Sequence, residues 1–370
     1  MKNISYKIES IQLLRAVAVL LVVYAHAFDI VDKKPLQAGF YYLENWGAIG
    51  LDLFFVISGF IMTIVTPRYI ISHDWKDFTV KRIIRIIPLY WILSFSFSAL
   101  LFLKGTPNTI SEILKTVLFF PFFDTEFTAP IVHVGWSLSL EIYFYLLISL
   151  FLVKASSRIY TYLIITLVGL SIIGVVVNPE NALIKFLTSP LLIEFALGIL
   201  AGVLYKKISS TEPQKLKWKA MAVALTLLGA VWMLATIITG YFEVSEARLV
   251  LVDNQLAFIR SLVWGVPCFA LLLGLVLSES LFKLKVPRFF ILMGDASFSC
   301  YLLHRIFFLP LSKKIYSFFN LENTDVFIPF SLGIVIVGSI FFYLYFEKRL
   351  ITFSTQLLNN KPEKSSLATT

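Results

Sequence analysis

Apolar residues along the chain come in blocks of about twenty, long enough to cross the hydrocarbon layer of a bilayer as helices. They occupy roughly Ile11 to Ile30, Trp46 to Thr66, Ile83 to Leu103, Val134 to Val153, Tyr160 to Val177 and Phe186 to Tyr205. Four more run from Ala220 to Thr239, Leu256 to Leu277, Phe289 to Leu309 and Val326 to Phe346. This pattern predicts an all-α polytopic bundle with about ten transmembrane helices. A shorter run, Ile110 to Phe123, carries Lys115 and Pro121 and reads as a re-entrant or interfacial helix between the third and fourth crossings. Residues 1–350 thus form one integral membrane domain. Residues 351–370, polar from Asn359 onward, are expected to be a disordered cytoplasmic tail.

Composition removes the soluble alternative. Of 370 residues, 58% are apolar and 15% charged, with a mean hydropathy of +0.83, against roughly a quarter charged in soluble domains. A net charge of +9 would invite a nucleic-acid reading in a soluble protein. Here the basic residues instead follow the connections between spans. With the amino terminus inside, 21 of the 32 Lys and Arg fall in cytoplasmic segments and 8 in outer ones, the bias that orients membrane proteins. Both termini are therefore expected in the cytoplasm. A cleaved signal peptide is the competing reading of the first run, since Lys2 and Lys7 precede it and Ala25-His26-Ala27 looks like a cleavage site. Arg15, early in the apolar stretch, favours a helix packed in a bundle. Cys268 and Cys300 have neither metal-ligand nor disulfide-framework spacing, and no metal is expected.

Ionisable groups inside spans cost on the order of 3 kcal/mol each at the bilayer centre, and normally face a bundle interior or a pathway. Arg15 and His26 are eleven residues apart, which returns them to nearly one helix face about 16 Å apart along the axis. The fourth span opens Trp136-Ser137-Leu138-Ser139-Leu140-Glu141, and the ninth carries Ser299, Tyr301 and His304. His26, Glu141 and His304 are then expected at comparable depth, where a carboxylate could fix the tautomer of an imidazole base. A buried His and Glu that only satisfy each other is the bland alternative. Arg82 and Arg85, three apart at the cytoplasmic edge of the third span, could grip a phosphate, or only contact lipid headgroups.

In order, Arg15 through His26, Gly50-Leu51-Asp52-Leu53-Phe54-Phe55-Val56-Ile57-Ser58-Gly59-Phe60, Arg82-x-x-Arg85, Trp136-Ser137-Leu138-x-x-Glu141 and Ser297-x-Ser299-x-Tyr301-Leu302-x-His304 resemble the membrane-bound acyltransferase 3 family. That family includes bacterial acetyltransferases of surface and exported saccharides. The sequence departs from it in ending the last span with Glu347-Lys348-Arg349, where Glu-Lys-Pro is common, and in Cys300. The resemblance implies a bacterial inner-membrane enzyme with no permanently bound cofactor and with acetyl-CoA, or another acyl-CoA, as donor. It implies a saccharide or lipid-linked saccharide acceptor on the outer side and no nucleic acid. On this reading Arg15, Arg82 and Arg85 hold the donor, His26 is the general base, and Glu141 orients it. Asp52, Ser58, Trp136, Ser299, Tyr301 and His304 bind substrate or support the site. Ser58 and Gly59 are also candidates for close helix packing, and Asp52 for pairing a basic group. Direct transfer and a transient acyl-enzyme both remain open. The alternative from another class is a transporter or flippase that uses the buried His, Glu and Arg as a substrate or proton path.

Overall fold

The computed structural model describes residues 8–30, 46–121, 129–154, 156–210, 216–239, 251–319 and 324–359. Every regular element among them is helical. The helices that position the site are α1 (Glu9–Ile30), α2 (Ile49–Val65), α3 (Trp75–Leu103), α4 (Ile110–Leu118), α5 (Gly135–Leu152), α6 (Ile159–Val177) and α7 (Leu192–Ser209). They continue with α8 (Leu216–Thr239), α9 (Asn254–Arg260), α10 (Val266–Phe282), α11 (Arg288–Asp295), α12 (Ser297–Leu303), α13 (Leu309–Phe318), α14 (Thr324–Phe342) and α15 (Lys348–Asn359).

Eight segments are long and apolar enough to cross a membrane, and α2 is a shorter apolar helix beside them. The expected polytopic helical bundle is therefore what the chain forms. Its middle and its periphery differ in burial. The α1 segment is 61% buried and the Ala182–Ser209 segment 67%, while the segments of α3 and α8 are 22% buried and expose the rest of their apolar side chains. In a bilayer those exposed side chains meet lipid, where apolar surface carries no penalty.

α1 is a central member of this bundle, packed against α2, α10, α11, α12 and α14. Its first turn has an unusual cap. The backbone N–H groups of Glu9 and Ser10 donate to the Glu279 carboxylate at 2.9 and 2.7 Å, and Glu9 in turn accepts from Val286 N at 3.0 Å. A carboxylate at a helix N-terminus satisfies orphan donors and complements the macrodipole. The cap pins the height of α1 and so of Arg15, two turns further on.

Two glycines let α2 and α7 touch backbone to backbone. A Cβ on Gly59 would lie 2.2 Å from Phe195 O, and one on Gly198 would lie 2.1 Å from Val56 O. Gly59 is thus the close-packing residue the sequence suggested, and Ser58 has a different job.

The expected ninth span, Phe289 to Leu309, is not one helix but α11, α12, a π-turn at His304–Phe308 and then α13. A second π-turn, Ser261–Gly265, joins α9 to α10. Each lies just before a proline in the first turn of the next helix, Pro310 and Pro267. Proline supplies no N–H to the preceding turn, and the backbone there adopts the wider spacing common at functional bulges.

Two connecting segments also take shape. α4 is nine residues long and closed by a capping box between Thr109 and Glu112. At about 1.5 Å per residue it cannot cross a bilayer, which fits the re-entrant or interfacial reading. α15 continues the last span to Asn359 and packs along α3, so residues 351–359 are helical where a disordered tail was expected. Leu350, Ile351, Phe353 and Leu357 give this stretch an apolar side that a polar tail lacks. Residues 360–370, and the end of the 110–123 run, lie outside the described residues.

Candidate active site

A cavity of about 450 Å³ opens among α1, α2, α3, α5 and α12. Arg15, Arg82 and Arg85 line it together with Ser58, Glu141 and Tyr301, so six of the predicted site residues share one wall. Two of the remaining five form a separate pair nearby, and the other three are committed elsewhere.

Helix geometry explains the gathering. α1 contributes one stripe of its surface, Ile8, Ile11, Gln12 and Arg15, at the i, i+3, i+4, i+7 spacing of a single face. From α3 come Arg82, Arg85 and Ile86, again three and four apart. From α5 come Ser137, Leu138, Glu141 and Tyr145. Ser58 Oγ donates to Glu141 Oε1 at 3.0 Å, and Tyr145, one turn on from Glu141, donates its hydroxyl proton to the same oxygen.

The cavity is electropositive. Three guanidiniums face one carboxylate on its wall, and Arg15 feels repulsion from Arg85 and attraction from Glu347, Asp295 and Glu141. Arg82 lies 5.8 Å over the Phe78 ring, and its Nε has no hydrogen-bond partner among the described residues. A buried donor without an acceptor costs about 1–3 kcal/mol. Such a wall suits an anionic guest that brings several acceptor oxygens.

Tyr301 closes the far end. Its hydroxyl lies 2.7 Å from Ser137 Oγ and donates to Val134 O at 2.9 Å. Its ring meets Phe54 edge-on at 6.1 Å and lies 6.0 Å from the His304 ring. Behind it, His26 and His304 lie side by side with ring centroids 5.2 Å apart and planes inclined by 30°. The two histidines meet as their expected depths require. Glu141 does not join them: its hydrogen bonds go to Ser58 and Tyr145, on the arginine-lined cavity. Depth along a span fixes height but not azimuth, and α5 turns Glu141 toward α2.

Three predicted residues serve the surrounding frame. Asp52, fully buried, accepts two hydrogen bonds from Arg260, Nε to Oδ1 at 2.8 Å and Nη2 to Oδ2 at 2.7 Å. Asp52 is thus an ion-pair residue, about 120° around α2 from Ser58. Ser299 donates to the buried Glu347 carboxylate in the π-turn Tyr343–Glu347. Trp136 packs half-buried against the apolar core. Sequence reasoning missed Tyr145, Ser137, Glu347, Asp295 and His133. Tyr145 was accessible, being four residues from Glu141 and hence on its face. Glu347 stands just past the apolar run of the last span, where the sequence marks it only as part of the variant Glu347-Lys348-Arg349 ending. His133, exposed just before α5, lies within electrostatic reach of His26, Arg305 and Glu112.

The chain belongs to the acyltransferase domain family, whose profile matches residues 8–344. It is similar to the exopolysaccharide production protein ExoZ of Rhizobium meliloti (strain 1021), 29% identical over 266 residues, covering 70% of this chain and 75% of that protein. Nodulation protein 10 of Rhizobium leguminosarum bv. viciae is 24% identical over 326 residues, 80% of this chain and 81% of that one. The O-acetyltransferase OatA of Staphylococcus aureus (strain NCTC 8325 / PS 47) is 26% identical over 322 residues. That match covers 79% of this chain but 49% of OatA, so the chain spans about half the length of that relative. No solved structure matches it. With its apolar helices, the chain is a multi-pass membrane protein of an acyltransferase family.

Proposed function

We propose that this protein is a bacterial inner-membrane O-acyltransferase that moves an acyl group, acetyl foremost, from acyl-CoA to a hydroxyl of an exported or surface saccharide. The observation that carries this reading is the shared cavity of Arg15, Arg82 and Arg85, ending at Tyr301 beside the His26–His304 pair. The phosphates of CoA are acceptor-rich anions, and guanidiniums bind them through charge-assisted hydrogen bonds. Its pantetheine arm is extended and only modestly polar, which suits the apolar stretch of wall formed by Phe54, Phe55 and Ile61. The relatives named for O-acetylation and exopolysaccharide production support the hydroxyl acceptor. The distribution of Lys and Arg supports cytoplasmic termini, a cytoplasmic mouth at Arg82 and Arg85, and an outer acceptor.

In the reaction, His26 takes the proton of the acceptor hydroxyl while that oxygen forms a bond to the thioester carbonyl carbon. The C–S bond breaks, and the proton passes to the departing sulfur to give CoA thiol. General-base catalysis of this kind contributes about 10²–10⁴-fold. Glu141 offsets part of the positive charge that the three guanidiniums bring to the cavity. Full-length protein in nanodiscs with ¹⁴C-acetyl-CoA and methyl glucoside as the hydroxyl acceptor is expected to form labelled ester. The His26→Ala variant is expected to bind CoA normally and to form about a thousandfold less ester. Wild-type protein that forms no ester, or an H26A variant as fast as wild type, contradicts the proposal.

A further inference from the structure

His304 lies on the π-turn that interrupts the ninth span, and it is completely buried. Its Nδ1 lies 3.1 Å from the carbonyl oxygen of Cys300, one turn back. A carbonyl oxygen only accepts, so Nδ1 carries the proton, and in a neutral imidazole Nε2 then carries a lone pair. That lone pair has no hydrogen-bond partner among the described residues. A buried acceptor left open is costly and unusual. The ring that packs against it is His26, 5.2 Å away between centroids.

We infer that His304 is the positioning residue of the His26 base: its open lone pair receives the N–H of His26 and so turns the other nitrogen of that ring toward the acceptor hydroxyl. The proposal rests on the reading of His26 as base. A neutral His26 has one N–H and one lone pair, and an imidazolium has two N–H groups. A partner that only accepts therefore favours the charged ring over the neutral one and sets which nitrogen of His26 faces the substrate. The proton that His26 holds is the one it later gives to the sulfur, so His304 exchanges none. Tyr301, 6.0 Å from the same ring, fills the space between this pair and the donor cavity. The sequence marks His304 as a buried polar residue; the tautomer and the open lone pair emerge only from the fold.

The test uses the full chain in nanodiscs with acetyl-CoA as donor and methyl glucoside as acceptor. His304→Phe keeps the ring's bulk and removes the lone pair. Its kcat is expected to fall 10–100-fold, in the range for partners that orient a reacting ligand, with KM for acetyl-CoA within about twofold of wild type. His304→Gln places an amide oxygen near the former Nε2 and is expected to recover about tenfold of that loss. Should H304F fail to fold, His304→Asn, which has no atom at the Nε2 position, replaces it against H304Q with the same expected ranking. Wild-type kcat in H304F, or equal losses in both variants with a raised KM, overturns the assignment. An inactive wild-type protein instead removes the acyltransferase reading itself, and the role of His304 with it.

Discussion

The two faces of α2 carry the same kinds of side chain in opposite states. On one face Asp52 and Arg260 pair through two short hydrogen bonds beside the buried Glu194 carboxyl, which interacts with both, and Arg260 gives a third to Ala48 O while lying 4.8 Å over the Trp264 ring. Neither Asp52 nor Arg260 lines the arginine-rich cavity. On the other face Ser58 meets Glu141 across a cavity whose three arginines outnumber its wall carboxylates. Charge buried in a membrane protein is expensive in either place. A balanced pair meets that expense locally and holds two helices together. A wall with more guanidiniums than carboxylates is offset only in part by Glu347 and Asp295 nearby, and a guest anion supplies the remainder. The difference between a structural charge and a functional one is therefore whether the chain alone balances it.

The comparison breaks most visibly at Arg260. Removing one partner of a buried ion pair leaves an uncompensated charge and costs about 3–5 kcal/mol. Arg260→Leu is expected to lower stability by that amount, read as the unfolding midpoint in detergent, and Asp52→Asn/Arg260→Leu together to recover much of it. A variant as stable as wild type would mean that the pair contributes nothing. Glu141 sharpens the other side. Glu141→Gln keeps the hydrogen bonds from Ser58 and Tyr145 but removes the counter-charge to Arg15. Acetyl transfer is expected to drop about tenfold with stability within about 1 kcal/mol of wild type. A loss of stability as large as that of R260L would make Glu141 a second structural charge. Smaller still is Ser58→Ala, which removes one of two donors to Glu141. An effect of about 1 kcal/mol on transfer is expected, and a larger effect on folding than on rate would reassign Ser58 to packing.

Much of this was legible in the sequence, for reasons that are physical. Spans declare themselves because lipid admits only long apolar helices. Arg15, Arg82, Arg85 and Glu141 declare themselves because lipid does not tolerate them unexplained. Arg15 and His26 share a helix face at eleven-residue spacing, and their separation along α1 puts one on the cavity and the other beyond Tyr301. What the sequence could not give is azimuth and long-range pairing. Asp52 meets an arginine 208 residues away, and Ser299 meets Glu347 across 48 residues. Neither pairing has a local signature. The break in the ninth span was hidden because Pro310 falls just outside the apolar run, although it shapes the turn before it.

The most direct measurement is equilibrium binding of CoA to the full chain in nanodiscs, comparing wild type with Arg82→Gln/Arg85→Gln. Losing two charge-assisted contacts is expected to weaken CoA about 100-fold or more, roughly 3 kcal/mol, with the unfolding midpoint unchanged. Equal CoA affinity in the double variant would contradict the claim that the arginines lining this cavity hold the donor.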